Sequence, residues 1–186
     1  MLRIITGTAK GKRIETLEGE ATRPTSERIK EALFSSIQFD IEDRRVLDLF
    51  AGSGQLGLEA LSRGAMSASF VDSEREAMEI VKRNARTTGF FDKCRYIVSD
   101  WRNYIRKASG KDKYDLVFID PPYSMECCRD GAVRLAESGL LATGALVVLE
   151  SGTEEFDPYE ISGFEVLKST HYGKKTTLTV LLYRGE

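Results

Sequence analysis

The tetrapeptide Asp120-Pro121-Pro122-Tyr123 combines groups that could hold an amine beside a flat ring. The exocyclic NH2 group of a nucleobase is a poor nucleophile, because its lone pair is delocalised into the ring. A carboxylate and a backbone carbonyl that accept hydrogen bonds from its two N–H groups would turn that lone pair toward an electrophile. Asp120 and the Pro121 carbonyl could supply these acceptors, and Tyr123 a ring on which the base stacks. We therefore predict Asp120, Pro121 and Tyr123 as catalytic residues for group transfer to an exocyclic nitrogen.

The two prolines make this arrangement rigid before a substrate arrives. Each proline fixes its own φ and biases the residue before it toward an extended backbone. Acceptors held in place in advance are what stabilisation of a transition state requires. A methyl group on a sulfonium is already a strong electrophile, so this chemistry needs neither a metal nor a strong general base. His171, the only histidine, lies in a C-terminal β-rich run, and we interpret it as a structural residue.

A glycine-rich segment, AGSGQLG at 51–57, follows one predicted strand and opens a predicted helix. Its GxGxxG spacing on its own would suggest a dinucleotide. Asp48, however, lies four residues before Gly52, where a carboxylate would oppose a pyrophosphate and suit an ammonium or sulfonium group. S-adenosyl-L-methionine carries both of these charges and no phosphate. We therefore predict S-adenosyl-L-methionine as the cofactor.

Two further predicted strands also end in carboxylates. Asp72 is placed to accept hydrogen bonds from ribose hydroxyls. Asp100 is placed to accept from the adenine amine, although it could equally be the N-cap of the next helix. In open α/β sheets, ligands bind at the carboxyl ends of the strands. The predicted cofactor residues are Asp48, Phe50, Gly52, Gly54, Asp72 and Asp100.

Alternating strands and helices are expected to position these residues. Apolar runs predict strands near 45–49, 67–72, 94–98, 114–119 and 144–150, and helices near 55–63, 74–88, 100–107 and 126–138. This alternation indicates an α/β fold with a mostly parallel sheet covered by helices on both faces. Two β-rich runs joined around Gly173 predict an antiparallel pair at the C-terminal end.

The first forty residues differ in style from the rest. LRIITG and KRIETL predict a small β-hairpin, and a helix is expected after them with Ser26 as its N-cap and Ile29, Leu33, Phe34 and Ile37 on its apolar face. Basic residues cluster here, and a local basic patch can contact phosphates even though the net charge is -2. We predict 1–40 as an RNA-contacting extension and 41–186 as the catalytic domain.

Composition excludes several other classes of protein. The chain has 186 residues, of which 41% are hydrophobic and 30% charged, as in ordinary globular domains. No apolar run approaches the roughly 20 residues of a membrane span, and the N-terminal residues lack the apolar region of a signal peptide. The three cysteines show no CxxC spacing, which argues against a disulfide framework or a zinc site. We expect a cytoplasmic monomer without a metal or a membrane partner.

The motifs together resemble a known family. VLDLFAGSGQLGLEAL with IDPPY is similar to the class I S-adenosylmethionine-dependent amino-methyltransferases. With RIITGTAKGKRI, TRPTSERIKEALFSSI and YGKKTTLTVLLY added, essentially the whole chain resembles the RsmD family of 16S rRNA guanine-N2 methyltransferases. The resemblance implies a Rossmann-like fold of seven strands with an N-terminal hairpin. It also implies methylation of one guanine N2 in bacterial 16S rRNA, within an assembled or partly assembled 30S subunit.

The resemblance also assigns residues to the RNA. It implies RNA contacts in the extension and the segment after it, at Arg3, Lys12, Arg13, Arg23, Thr25 and Arg28. Lys30 stands where the family pattern usually has arginine. A lysine keeps the charge but loses the two-pronged geometry of guanidinium on phosphate, so a weaker RNA contact is expected at this position.

Other functions remain possible at this point. A DNA adenine-N6 or cytosine-N4 methyltransferase would share the Asp-Pro-Pro-Tyr motif, but 186 residues leave little room for a DNA-recognition domain. A nicotinamide-dependent oxidoreductase would explain the glycine spacing and leave the tetrapeptide unexplained. A non-catalytic RNA-binding module would need only the basic extension.

Overall fold

A computed structural model describes residues 2–17, 24–108, 112–122, 127–152, 156–173 and 175–185, with the backbone alone for 24–26. Its helices are α1 (Pro24–Ser36), α2 (Gln55–Ser62), α3 (Arg75–Thr88), α4 (Trp101–Ala108) and α5 (Cys128–Ser138). Its strands are β1 (Leu2–Arg3), β2 (Arg13–Ile14), β3 (Arg45–Asp48), β4 (Ser67–Asp72), β5 (Cys94–Val98), β6 (Tyr114–Ile119), β7 (Leu141–Ser151), β8 (Phe164–Tyr172) and β9 (Thr176–Tyr183).

Within these ranges, seven strands form one sheet in the order β5-β4-β3-β6-β7-β9-β8. The first five strands of this order are parallel, and β9 runs antiparallel to both of its neighbours. The predicted mostly parallel sheet with an antiparallel C-terminal pair is therefore confirmed. None of the helices in the described ranges combines the length and apolar character that crossing a membrane demands.

The strand order creates a crevice at one edge of the sheet. The chain runs from β3 outward through β4 and β5 and then returns to β6 on the other side of β3. Because the connections leave β3 and β6 in opposite directions, their carboxyl ends flank an opening in which ligands bind. Asp48 at the end of β3 lies opposite Phe118 in β6, so Asp120 follows closely on the same edge.

Both faces of the sheet are buried, which explains the continuous apolar runs of its central strands. Phe70 and Phe118 belong to the core on one face, together with side chains of α1, α2, α3 and the hairpin. Val117 and Leu149 belong to the core on the other face, with α4 and α5. The helices on the two faces are thus the reason that these strands can be apolar throughout.

The predicted N-terminal hairpin is confirmed, and it packs tightly on α2. β1 pairs antiparallel with β2, and Ile4 and Ile14 are buried in the same core as α1 and α2. At its tip, the Thr8 N–H donates to the Ser62 carbonyl at 2.8 Å. Gly7 has a φ of 86°, and a Cβ there would lie 1.8 Å from the Ser62 carbonyl oxygen. Only glycine allows this approach of the hairpin to the helix.

The first helix begins earlier than the sequence suggested. Its apolar face is confirmed, since Leu33 and Phe34 are fully buried. The prediction of Ser26 as N-cap was wrong, because α1 starts at Pro24 and includes residue 26. Proline suits the first turn of a helix because its φ is already helical and its missing N–H would have no partner there.

A buried carboxylate fastens the hairpin to the domain. The Glu59 side chain in α2 has no solvent exposure. Its oxygens accept hydrogen bonds from the backbone N–H groups of Ile5 at 2.7 Å and Thr6 at 3.0 Å. The Arg63 Nε donates to the same carboxylate at 2.9 Å. Two chain segments far apart in sequence therefore share one carboxylate.

Lys30 completes this cluster from α1. Its Nζ lies 4.0 Å from Glu59 Oε2 and donates to the Arg3 carbonyl at 3.0 Å, and only 3% of the residue is exposed. The expectation that this position meets RNA was therefore wrong, because the ammonium points into the protein. Burial lowers the pKa of Lys30, and the Glu59 carboxylate opposes that shift.

We predict that Glu59→Ala lowers the free energy of unfolding by about 3–5 kcal/mol, as for other buried ion pairs that lose one partner. The change leaves the buried Lys30 without the Glu59 charge and removes the acceptor of two backbone N–H groups of the hairpin. Urea denaturation measures the loss, and Glu59→Gln, which keeps an acceptor, should lose less. The matched control is Glu79→Ala in α3, which removes an exposed carboxylate that pairs with Lys82 and should leave the denaturation midpoint unchanged. Equal stability of the two alanine variants would contradict this role of Glu59.

Candidate active site

Residues 49–54 connect β3 to α2, and we call them the glycine turn. This turn spans the ends of three neighbouring strands. The Leu49 N–H donates to the Phe118 carbonyl of β6 at 3.1 Å, and the Ala51 N–H donates to the Val71 carbonyl of β4 at 2.9 Å. Gly54 then has a φ of 78°, in the left-handed region, directly before α2 begins. A residue with a Cβ would be strained at this φ. Glycine adopts it without strain, and because it has no side chain the backbone can approach a ligand at the crevice.

Asp48 holds the helix that follows the turn. It is 1% exposed, and its Oδ2 accepts the Gly57 N–H at 3.1 Å. A Cβ at Gly57 would lie 2.4 Å from the ring of Phe70 and 3.4 Å from the Asp48 carboxylate. The third glycine of the GxGxxG spacing therefore serves close packing of α2 on β3 and β4, and this packing brings the start of α2 against the carboxylate.

Asp72 is turned toward the glycine turn from β4. Its Oδ2 accepts the Gly52 N–H at 2.9 Å, and its Oδ1 accepts the Glu74 N–H at 2.9 Å. Each carboxylate oxygen has a second lone-pair direction, so these bonds still allow a ribose hydroxyl to donate. The structure therefore brings Asp72 and Gly52 together at the crevice, as a cofactor site beside β3 requires.

Asp100 acts as the N-cap of α4. Its Oδ1 accepts the Asn103 N–H at 3.0 Å, at the third position of the helix. The capping alternative that the sequence left open is thus confirmed. The side chain is exposed at the end of β5, on the same edge as Asp72, and its contact with adenine stays a prediction.

Two aromatic rings lie side by side next to this turn. Phe50, which was predicted as a cofactor residue, packs against Trp101 with ring centroids 5.8 Å apart. Trp101 is 4% exposed, and its Nε1 has no hydrogen-bond partner among the residues that the structure describes. Trp101 was not predicted from the sequence, although an aromatic residue directly after an acidic strand end is a signal for this position.

Asp120 and its prolines stand on the other side of the crevice. Asp120 follows β6 and is half-buried, while Pro121 is buried and Pro122 exposed. Because Asp48 pairs with Phe118, the two carboxylates lie at the ends of adjacent strands. Tyr123, the fourth residue of the motif, lies outside the described residues. The structure thus brings Asp48, Asp72 and Asp120 to one edge.

A buried amide connects the glycine turn to the hairpin. The Asn84 side chain in α3 donates through Nδ2 to the Ser53 and Glu15 carbonyls, both at 2.9 Å. Its Oδ1 accepts the Glu15 N–H at 2.8 Å. Asn84 was not predicted from the sequence, although a polar residue among Val81, Ala85 and the other apolar residues of α3 signals an internal partner.

The predicted RNA residues occupy different environments. Arg13 and Arg28 are exposed, and the exposed Arg3 lies 3.7 Å from Glu27. The Lys12 Nζ donates to the carbonyls of Thr87 and Thr88 at 3.0 and 3.3 Å, and so stabilises the C-terminal end of α3. Its contact with RNA stays a prediction. Arg23 lies outside the described residues, as does the side chain of Thr25.

No cluster suited to a metal ion occurs in the described ranges. The mostly parallel seven-stranded sheet, the glycine turn after β3 and the acidic ends of β3, β4 and β6 define a Rossmann-like fold of the class I methyltransferases. The chain belongs to the RsmD family: the family described as Conserved hypothetical protein 95 matches residues 2–181.

Relatives over most of the chain carry related names. Ribosomal RNA small subunit methyltransferase D of Escherichia coli is 33% identical over 153 residues, which cover 82% of this chain and 76% of that protein. The protein of the same name from Haemophilus influenzae is 31% identical over 151 residues, 81% of this chain and 78% of that one. The solved structure named "Putative methyltransferase yhhF" from Escherichia coli has a TM-score of 0.86 at 29% identity, and covers 100% of this chain and 99% of that chain.

We predict that S-adenosyl-L-homocysteine changes the fluorescence of Trp101, the only tryptophan. The ring packs on Phe50 beside the predicted cofactor turn, so binding there should alter its surroundings saturably. Asp72→Ala should raise the dissociation constant about tenfold or more, since a hydrogen bond to a charged group contributes about 1.5–3 kcal/mol. The control Asp92→Ala removes an exposed carboxylate near β5 and should leave the constant unchanged. An unaltered constant in Asp72→Ala would remove this residue from the cofactor site.

Proposed function

We propose that this protein transfers a methyl group from S-adenosyl-L-methionine to the N2 amine of a guanine in bacterial 16S rRNA. The observation that carries the proposal is the placement of Asp120-Pro121-Pro122 beside the glycine turn, across one crevice. Membership of the RsmD family and relatives named Ribosomal RNA small subunit methyltransferase D support the choice of RNA. We further propose that the protein acts as a monomer on rRNA in an assembled or partly assembled 30S subunit.

The residues of the crevice fit this cofactor. Asp48, Asp72 and Asp100 all carry carboxylates toward the carboxyl edge, which disfavours a phosphate and favours a ligand with positive charge and hydroxyl groups. Asp72 would receive the ribose hydroxyls, and the glycine turn admits the ligand close to its backbone. When bound, S-adenosyl-L-methionine supplies a methyl group on a positively charged sulfur.

Asp120 and Pro121 would hold the amine of the target base. The carboxylate accepts a hydrogen bond from one N–H group of the amine, and the Pro121 carbonyl accepts one from the other. This leaves the nitrogen lone pair directed out of the ring plane. Pro121 is buried and flanked by Pro122, so neither acceptor has to be ordered when the base arrives. Tyr123 would stack on the base. Guanine N2 lies inside a paired helix, so the target must be unpaired or flipped out.

Residues 1–40 would form the RNA-contacting extension. Glu59 and Asn84 fix the hairpin to α2 and α3, so its exposed arginines keep a constant position relative to the crevice. Arg3, Arg13 and Arg28 would then contact phosphates, which position a nucleic acid without reading its sequence. Base selection is left to the crevice and the surfaces next to it.

The test of the function is methylation of 30S particles and naked 16S rRNA from cells that lack the protein, with labelled cofactor and mass spectrometry of the product. We expect label on one guanine N2. Asp120→Ala should lower turnover at least about 100-fold, the loss typical of one transition-state contact, while the Trp101 fluorescence titration still reports normal cofactor affinity. Label on adenine or cytosine, or in added DNA, would favour the DNA amino-methyltransferase alternative. Wild-type turnover in Asp120→Ala would exclude its assigned role.

The extension is tested by the salt dependence of rRNA binding. Each phosphate contact contributes to the slope of log K against log salt concentration. Arg13→Glu should weaken binding and reduce that slope by about one. The control Arg106→Glu reverses an exposed arginine in the last turn of α4, on the other face of the sheet, and should leave the slope unchanged. An unchanged slope in Arg13→Glu would remove the hairpin from the RNA interface.

A further inference from the structure

A polar cavity of about 490 Å3 opens at the same edge of the sheet, beyond β6. It is formed by the end of β7, by the segment 156–159 and by side chains of β8 and β9, and we call it the β8–β9 cavity. Ile119 of β6 pairs with Leu149 of β7, so Ser151 in the cavity and Asp120 lie on neighbouring strands. Such strands are about 4.7–4.9 Å apart. The cavity therefore begins at the end of the strand next to the one that leads into Asp120.

Hydroxyl groups and one imidazole line its floor. Ser169 Oγ lies 3.2 Å from Thr179 Oγ1, and His171 Nδ1 lies 2.8 Å from Thr177 Oγ1. The ring is exposed, and the contact at Nδ1 leaves Nε2 able to bind a ligand. Hydroxyls can both donate and accept hydrogen bonds, as can a neutral imidazole through its two nitrogens. This set suits the mixed donors and acceptors of a base edge or a ribose hydroxyl.

An aromatic ring stands at the rim of the cavity. Tyr159 is 74% exposed, which is unusual for so large a side chain. Its backbone is nevertheless held in place, because the Tyr159 N–H donates to Asp157 Oδ1 at 2.9 Å within a short turn that begins at Pro158. An exposed ring on a fixed backbone can stack on an unpaired base.

The charge of the residues that line the cavity favours a neutral base over a phosphate as the ligand. Asp157 is the residue with a carboxyl group among the described lining residues, and no lysine or arginine is among them. This carboxylate would repel a phosphate, whereas a neutral base and ribose carry no charge for it to repel. The volume also falls within the roughly 300–1,000 Å3 of sites that enclose small ligands.

We propose that the β8–β9 cavity binds the base and ribose of an RNA nucleotide next to the methylated guanine. The proposal rests on the function proposed above and deepens it. Tyr159 stacks on the neighbouring base, while His171 and the hydroxyls of β8 and β9 read its edge or its 2′-OH. The cavity thereby helps to select which guanine enters the crevice, a task that phosphate contacts of the extension cannot perform.

Binding is measured on His171, whose ring signals are unique because the chain has one histidine. Short single-stranded oligoribonucleotides should shift these NMR signals saturably in the wild type, and the shifts should require more RNA in Tyr159→Ala. Inorganic phosphate at equal concentration should leave the signals in place. The proposal is overturned if no oligoribonucleotide moves the signals, or if phosphate moves them as RNA does.

Kinetics supply the second arm. Tyr159→Ala should raise the KM for the methylated particle about tenfold, within the range measured for loss of base stacking, with kcat and cofactor affinity unchanged. Tyr159→Phe keeps the ring and should restore the KM. The control is Phe39→Ala, which removes a ring that is 90% exposed and precedes β3, at the opposite edge of the sheet. This change should leave the KM unaltered. Equal KM values in Tyr159→Ala and wild type would contradict the proposal. Absence of rRNA methylation by the wild type would instead refute the proposed function, and the NMR arm would still decide whether the cavity takes RNA.

Discussion

The buried carboxylate of Glu59 ties the N-terminal hairpin to the helix that begins at the glycine turn. α2 has eight residues. Its first turn is fixed to β3 through Gly57 and Asp48, and its second turn receives the hairpin through Glu59. A shift of this helix would therefore move the glycine turn and the basic extension together. Asn84 makes the same connection from α3, which gives the extension two independent attachments to the crevice.

The carboxyl edge of the sheet divides its tasks by strand. β3 and β4 present the glycine turn and Asp72, β6 presents Asp120, and β7 leads to the β8–β9 cavity. The antiparallel direction of β9 matters here, because its first residues pair with the end of β7. Thr177 and Thr179 thus reach the edge directly, without the crossover helix that another parallel strand would need. In the function proposed above, this one edge would serve a cofactor, a reacting amine and a neighbouring nucleotide.

The fold could be predicted from the sequence because its strongest signals are local. Apolar runs marked the parallel strands, and glycines and carboxylates at their ends marked the crevice. The side-chain partners were harder, since they depend on which face meets which neighbour. Lys30 was expected near RNA because it replaces an arginine of the family pattern, yet it stands at helical spacing with Leu33 and Phe34 on the buried face of α1. The sequence left two roles open for Asp100, the N-cap of α4 and a contact with the cofactor, because both need a carboxylate at the same place.

These internal partners also change how the charge of the protein should be read. Lys30 and Arg63 face the Glu59 carboxylate, and Lys12 is bound to the end of α3, so a count of basic residues overstates the cations that RNA can meet. A net charge of -2 adds no long-range attraction for a polyanion. The RNA binding proposed above would then depend on a small number of exposed arginines together with contacts to bases. Contacts to bases carry sequence information, whereas contacts to phosphates do not. A weakly charged surface therefore favours an enzyme that selects one nucleotide in a folded RNA.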